Sequence, residues 1–416
     1  MKIAFALIPE KGHVNPYIGP AQALVEAGHE VVIGAPGDIC EQITRAGLTF
    51  RTDLIPDRLQ DRVTRGADLV DLIQDAARLD GWIEQLLLGG LDEQVAALRA
   101  WYARERADVV VVDPLYYAAA IASHLAPLPW AAVSNSLNPV IPPSLDSALL
   151  RTVRRLSPRR DELFRGYRVE CSFSGPDVLS PYLTVAFTTE ALVGRPPDGV
   201  ALVGPSFPLW NRGDEVAARP QPADRPVIYA SFGSQIYFWP EIFEKLLTAG
   251  LALNARMVFS MGDLANDPRW SARADVYRYA PQLELLRRAS IFVTHGGANS
   301  VMEGIAAGVA MLISPMCNDQ FHQAYFIDKA GIGCIENLIA APVERIVERF
   351  RFLLNDDTVR SSMQAVSKSY QVDGARCAAQ LIIDLPTGVP AGVPARVPIR
   401  VPRRFRNRAR KQAEPQ

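Results

Sequence analysis

"IFVTHGGANSVMEGIAAGVAMLIS" (residues 291–314) sets two apolar runs of strand length on either side of a stretch with helical spacing. Ile291–Thr294 is short, apolar and closed by glycine, which reads as a buried strand. Asn299–Ala307 has helical spacing, with Val301, Ile305 and Gly308 placed to pack on a sheet. Met311–Ser314 is a second buried strand. Strand, helix and strand at this spacing form a βαβ unit, which implies a parallel sheet covered on both faces.

The same rhythm extends outward from this unit in both directions. In the second half, strands are expected at Val227–Ala230 and Met257–Ser260, with helices at Glu241–Thr248, Leu283–Ala289 and His322–Ala330. The first half opens with a strand at Ile3–Ile8, a loop "PEKGHVNP", and a helix N-capped by Asn15 with Pro16 in its first turn. Ile18, Ala21, Val25 and Gly28 lie on one face of that helix, and a strand follows at Val31–Ile33. Further on come a helix at Asp92–Arg104, strands at Val109–Val112 and Trp130–Val133, and a helix from Tyr117. Residues 135–175 read as irregular, broken by Pro139, Pro142, Pro143 and Pro158. The fold class is therefore α/β, with two tandem doubly wound, Rossmann-like parallel-sheet domains. Their expected limits are 1–205 and 227–369, joined by a Pro/Gly/charge-rich linker at 206–226. A helix near 370–385 is expected to pack back on the first domain.

From 386 onward the pattern changes. Val-Pro recurs at 389, 393, 397 and 401 before "RRFRNRARK", a composition of extended, disordered tail. Residues from Arg396 onward carry eight Lys/Arg and one acid, so residues 1–395 hold a net charge of −8 against −1 for the whole chain. A mildly acidic folded part argues against nucleic acid as a partner. The basic tail offers a surface for weak peripheral contact with anionic membranes. Five scattered cysteines without CxxC spacing read as reduced thiols. The short first apolar run is no secretory leader, and no stretch approaches the ~18–20 apolar residues of a membrane span, so a cytoplasmic location is expected. Nothing in the composition fixes an oligomeric state.

Ligands of open α/β sheets bind beyond the strand carboxyl ends. Five polar clusters fall there: His13, Asp113, "SFGS" (231–234), "HGGANS" (295–300) and "CNDQ" (317–320). The two rims are expected to face a common cleft. In the stretch quoted first, His295 ends a strand and Gly296 and Gly297 allow close backbone approach. A helix then begins with unpaired N–H groups and a positive dipole end, the elements of an anion site. Asn299 and Ser300 occupy its first turn, and Glu303 lies on their face. A diphosphate at this helix start puts a ribose one turn along, where a carboxylate accepts from its hydroxyls. A merely capped helix accounts for the serine and asparagine, though not for His-Gly-Gly or an inward glutamate.

"RYAPQLELLRRASIFVTHGGANSVMEGIAAGVAMLISPMCNDQ" (278–320) resembles the nucleotide-sugar signature of UDP-glycosyltransferase family 1, which includes plant secondary-product enzymes and bacterial macrolide and polyketide glycosyltransferases. "PEKGHVNPYIGPAQALVEAGHEV" (9–31) resembles the same family's opening, and the likeness covers most of residues 1–385. The resemblance implies a GT-B fold and a set of donor contacts. Tyr279 stands where a tryptophan often stacks on uracil, Ala280 holds the base edge through its backbone, and Gln282 reaches the ribose. His295, Asn299, Ser300 and the N–H groups of Gly296 and Gly297 hold the diphosphate, with Ser234 adding a contact. Glu303 binds ribose hydroxyls, and Asp319 and Gln320 hold the sugar. Besides Tyr279, the chain departs from the pattern at Ala310, usually proline, and at Gln323, commonly asparagine.

The resemblance also casts His13 as catalytic base and Asp113 as its partner. Independently, an imidazole with an unperturbed pKa of ~6.5 can take the proton of an attacking hydroxyl, while an aspartate behind it fixes the tautomer. The plainer readings are a polar loop residue near a helix start for His13 and a strand-end cap for Asp113. No Asp-x-Asp triplet is present, so no metal or other cofactor is expected beyond the nucleotide diphosphate sugar as co-substrate. In the Glu-x7-Glu pattern of retaining transferases of similar fold, the first glutamate would fall at His295, which favours inversion. Glu336 and Glu344 have that spacing outside the segment. Trp82, Leu86–Leu88, Tyr116, Tyr117, Leu137, Val140 and Ile141 are mostly core, with some lining a cleft for a hydrophobic acceptor of polyketide, macrolide, carotenoid or phenolic type. The expected activity is inverting transfer of a hexose from a UDP-sugar to a hydroxyl of a small lipophilic acceptor. The rivals are a nucleotide-sugar 2-epimerase of the same architecture, a non-catalytic nucleotide-sugar-binding helper, and a peripheral transferase acting on a lipid-linked sugar.

Overall fold

The computed structural model describes residues 1–51, 66–213 and 224–385, so the Val-Pro tail and the centre of the expected linker lie outside the described residues. By internal contacts the chain divides into two units. The first takes Met1–Val63, Leu79–Asp214 and Gln371–Gln416, and the second takes Thr64–Arg78 and Glu215–Tyr370.

The first unit holds strands β1 (Lys2–Ala6), β2 (Glu30–Gly34), β3 (Thr49–Arg51), β4 (Val109–Val112), β5 (Trp130–Ser134), β6 (Ser172–Ser174), β7 (Asp177–Leu179), β8 (Leu183–Ala186) and β9 (Val200–Leu202). Seven of them form one sheet in the order β3-β2-β1-β4-β5-β8-β9, while β6 and β7 make a separate antiparallel hairpin. The second unit has β10 (Val227–Ser231), β11 (Arg256–Ser260), β12 (Asp275–Tyr277), β13 (Ile291–Thr294), β14 (Ala310–Ile313) and β15 (Gly333–Ile335), in the order β12-β11-β10-β13-β14-β15. Both sheets are parallel throughout. Each reverses its winding beside its first strand, between β1 and β4 and between β10 and β13. That reversal is where open α/β sheets leave a crevice for ligand. The central strands are wholly buried, as expected of sheets covered on both faces.

Three expectations about helices fail, and prolines are behind two of them. The first helix is Lys11–Glu26, not a helix capped by Asn15, so "PEKGHVNP" is mostly helical and His13 lies in the first turn. Pro16 and Pro20 are both inside it. A proline at position 20 leaves the carbonyl of residue 16 without its usual N–H partner. The Ser206 hydroxyl donates to that oxygen at 2.6 Å. Asn15, freed from capping, accepts from Gln42 Nε2 at 2.8 Å. Val25, expected on the buried face with Ile18 and Ala21, is exposed.

The second proline case is larger. Residues 135–175 contain a 19-residue helix, Ala148–Gly166, with Pro158 inside. Ser147 caps it by accepting from Leu150 N, and Ser157 Oγ donates to the Arg154 carbonyl that Pro158 leaves unpaired, at 2.9 Å. Leu149, Leu150, Val153, Leu156 and Phe164 are buried along its inner face. At roughly 1.5–3 kcal/mol each, they outweigh a mid-helix proline penalty of ~3 kcal/mol.

Helix Gly374–Ile383 packs on helix Lys11–Glu26 within the first unit. At Gly19 a β-carbon would lie 2.1 Å from the Phe207 carbonyl oxygen and 2.9 Å from Ala375 Cβ, so only glycine admits this approach. Gln22, wholly buried, donates to the Ala46 and Asn211 carbonyls and accepts from Leu209 N, which ties the 207–211 segment to the sheet layer. Among the described residues, no helix is long and apolar enough to cross a membrane.

Candidate active site

At the reversal point of the first sheet, Ala6 pairs with Val112, and Asp113 N donates to Ala6 O at 3.1 Å. The carboxylate of Asp113 therefore starts at the end of a central strand, directly beside the one that leads into the His13 helix. Asp113 is completely buried. One of its oxygens accepts from Leu115 N at 3.1 Å, and the other lies 2.6 Å from His13 Nδ1. Asp113 Oδ2 is an acceptor, so His13 carries its proton on Nδ1 and leaves Nε2 as the basic nitrogen. The His13 side chain is 16% exposed, and Glu10 Oε2 lies 4.0 Å from Nε2. The sequence reading missed Glu10. Its position three residues ahead of His13 points to this site only once the helix is known to begin at Lys11.

The reversal point of the second sheet gathers the other cluster. Ser231 ends β10 opposite Thr294 of β13, and His295 and the glycines follow. His295 is buried, which pushes its imidazole down to about 4, against a smaller opposing contribution from a hydrogen bond to the Ser231 backbone. The ring is neutral at physiological pH, and its hydrogen bond to the Ser231 backbone engages its single N–H. Two glycines make room for it. A β-carbon at Gly297 would lie 2.6 Å from His295 Nε2, and one at Gly233 would lie 2.9 Å from Cε1. Gly296, with φ of +87°, and Gly233, with φ of +79°, both need the left-handed region. Helix Ala298–Ala307 starts from Gly297 without a side-chain cap and ends at Gly308, which has φ of +73°. Val301 and Ile305 are buried.

Glu303 is 4% exposed. Its carboxylate accepts from Gln282 Nε2 at 2.7 Å, the same amide lies 3.4 Å from Ser300 Oγ, and Gln282 Oε1 accepts from the Tyr229 hydroxyl at 3.0 Å. Ala280 N donates to Ser260 Oγ at 3.3 Å, and Ala280 O accepts from Gln282 N. Tyr279, Ser234 and Asn299 are half-buried. Tyr237, a neighbour of Tyr279 that the sequence reading passed over, donates to Asp263 at 2.8 Å; burial and that carboxylate push its hydroxyl up to about 12.

The "CNDQ" segment is bound inward. Gln320 Oε1 accepts from Met316 N at 2.8 Å and Cys317 N at 3.1 Å, and Asp319 Oδ2 accepts from Gln323 Nε2 at 2.6 Å. Of the residues named for the acceptor, Tyr116 and Leu137 are buried, Tyr116 within the apolar core, and Trp82 packs half-buried against it. Among the described residues, no group of three or more His, Cys, Asp or Glu side chains is placed to hold a metal ion.

Two parallel sheets, each with a polar cluster at its winding reversal, define a doubly wound α/β protein with a candidate ligand crevice in each sheet. A family model described as UDP-glucoronosyl and UDP-glucosyl transferase matches residues 211–371. The chain is 26% identical to the oleandomycin glycosyltransferase of Streptomyces antibioticus, over 91% of this chain and 90% of that protein. It is 23% identical to the NDP-glycosyltransferase YjiC of Bacillus licheniformis, over 80% and 84%. The crystal structure of the glycotransferase of kitacinnamycin matches with a TM-score of 0.71 and 22% identity, over 92% of this chain and 99% of that one. Residues 211–371 therefore match the model of the UDP-glycosyltransferases, and the chain has the GT-B fold of the solved glycosyltransferases it resembles.

Proposed function

We propose that the protein transfers a hexose, with inversion and without a metal ion or other cofactor, from a UDP-sugar to a hydroxyl of a small lipophilic acceptor. The observation that carries this reading is the His13–Asp113 pair, 2.6 Å apart, with the carboxylate wholly buried. The acceptor oxygen attacks the anomeric carbon of the sugar, a carbon–oxygen bond forms, and the bond to the diphosphate breaks. The acceptor's proton passes to His13 Nε2, the buried carboxylate stabilises the imidazolium, and UDP leaves with the bonding electron pair. The uncapped start of helix Ala298–Ala307 supports charge stabilisation on the leaving group. The half-buried Tyr279 is suited to stack on the base. The buried Glu303 favours a donor with free ribose hydroxyls. Apolar residues following β4 and β5 support a lipophilic acceptor.

The test is a screen for UDP release across sugar donors and hydroxyl-bearing lipophilic compounds, repeated with His13→Ala. Turnover is expected to fall roughly 10²–10⁴-fold in the variant while UDP affinity stays the same. Full activity in H13A would remove the base assignment. Sugar product formed without any acceptor would instead indicate an epimerase.

A further inference from the structure

Gln282 is the middle of a buried chain that runs from the second sheet to Glu303. The carboxylate of Glu303 can only accept, so it must face the amide –NH₂ of Gln282, as the 2.7 Å contact has it. Gln282 Oε1 then points the other way, toward Tyr229, 3.0 Å off. An amide oxygen cannot donate, so the tyrosine O–H is the donor. The carboxylate fixes which end of the amide it meets, and the hydroxyl pins the other end in place, which limits where the –NH₂ can stand. The donor itself is rigidly placed. Tyr229 is at the centre of β10, 1% exposed, and its ring stacks on Phe292 of β13 with centroids 5.2 Å apart and planes within 5°.

We propose that Tyr229, acting through Gln282, is a positioning residue that aims Glu303 at the ribose and so sets the preference for ribonucleotide over 2′-deoxyribonucleotide donors. This rests on the reading of Glu303 as the ribose-binding carboxylate. A carboxylate reaches two vicinal hydroxyls only in a narrow range of orientations. A 2′-deoxy nucleotide lacks one of those hydroxyls and gains little from the correct one. A loosened Glu303 therefore weakens UDP much more than 2′-deoxy-UDP.

Calorimetric titration of the full-length protein with UDP and with 2′-deoxy-UDP tests this. The wild type is expected to prefer UDP. Tyr229→Phe, which keeps the ring stack, should weaken UDP by about tenfold and 2′-deoxy-UDP by less than about threefold, as expected for one lost buried hydrogen bond. Gln282→Leu breaks the same chain from the amide side and should lower the ratio equally, so it serves as the measurement should Y229F fail to fold. Glu303→Gln separates the two claims. If E303Q abolishes the preference while Y229F and Q282L keep the wild-type ratio, the role of Tyr229 is overturned and that of Glu303 stands. If the wild type shows no preference, or E303Q retains it, the ribose reading itself is wrong.

Discussion

His13 and His295 each follow a central strand at the winding reversal of a parallel sheet, and the fold treats the two rings in opposite ways. His13 is partly open, with a buried carboxylate at Nδ1 and Glu10 near its other nitrogen. His295 is buried between two glycines, with the Thr294 hydroxyl 3.4 Å away and an imidazole pushed down to about 4. One environment sets a buried carboxylate against an accessible ring, and the other holds a buried ring neutral. The first suits a base that takes a proton in the transition state. The topology brings both rings to strand ends, and the immediate neighbours divide the work between them.

The largest effect should come from erasing that division on the His13 side. Asp113→Asn keeps the side chain's shape and removes the charge that stabilises the imidazolium. Turnover in a UDP-release assay is expected to drop by roughly 10²–10⁴-fold with UDP affinity unchanged. Wild-type turnover in D113N would mean that the two histidines do not differ in the way their partners indicate.

The next effect concerns His295 and reads out as stability. Its folded pKa is depressed to about 4, so between pH 6.5 and 4 the unfolded chain binds the proton and the folded chain does not. Stability must then fall as pH drops through that window, by up to about 3 kcal/mol. Denaturant titrations at pH 7 and pH 4.5 should show a smaller drop in His295→Asn than in wild type. An identical pH dependence in the two proteins would show that the ring is not held neutral by burial.

How much of this could be read beforehand differs between the two regions. Around His295, strand, glycine turn and helix follow one another without a break in pattern, and the observed bounds of β13 and helix Ala298–Ala307 differ from the expected ones by at most one residue. Around His13, Asn15-Pro16 imitates a helix start, because it carries a capping residue followed by proline. The Pro16 carbonyl that Pro20 leaves unpaired is served by the hydroxyl of Ser206, 190 residues away, which no local pattern announces. Pro158 misled for the same kind of reason, though there the rescuing hydroxyl belongs to the adjacent Ser157. The side-chain partners within the second cluster were not legible: Gln282 holds Glu303, and Gln320 holds the 316–317 backbone. Tyr229 and Glu10 carried no sequence signal, since one looks like strand core and the other like a surface acid.

The smallest effects sharpen the comparison through the glycine beside each histidine. Gly12 precedes His13 within a helix, and a β-carbon there would meet nothing within 4 Å. Gly12→Ala should leave His13 undisturbed and stabilise the protein by about 0.4–1 kcal/mol, because it narrows the unfolded ensemble at a helical position. Gly297 has φ of −61° and ψ of 141°, which any residue adopts, so backbone strain gives no reason for glycine there. What forbids a side chain is the His295 ring, 2.6 Å from the added carbon at Nε2 and closed in on its other flank by Gly233. Gly297→Ala must therefore displace the imidazole, and a cost of roughly 1–3 kcal/mol is expected from overpacking. Equilibrium unfolding of the two alanine variants should give changes of opposite sign. If Gly297→Ala were as benign as Gly12→Ala, the ring would be free to move aside, and its burial could not be what keeps it neutral.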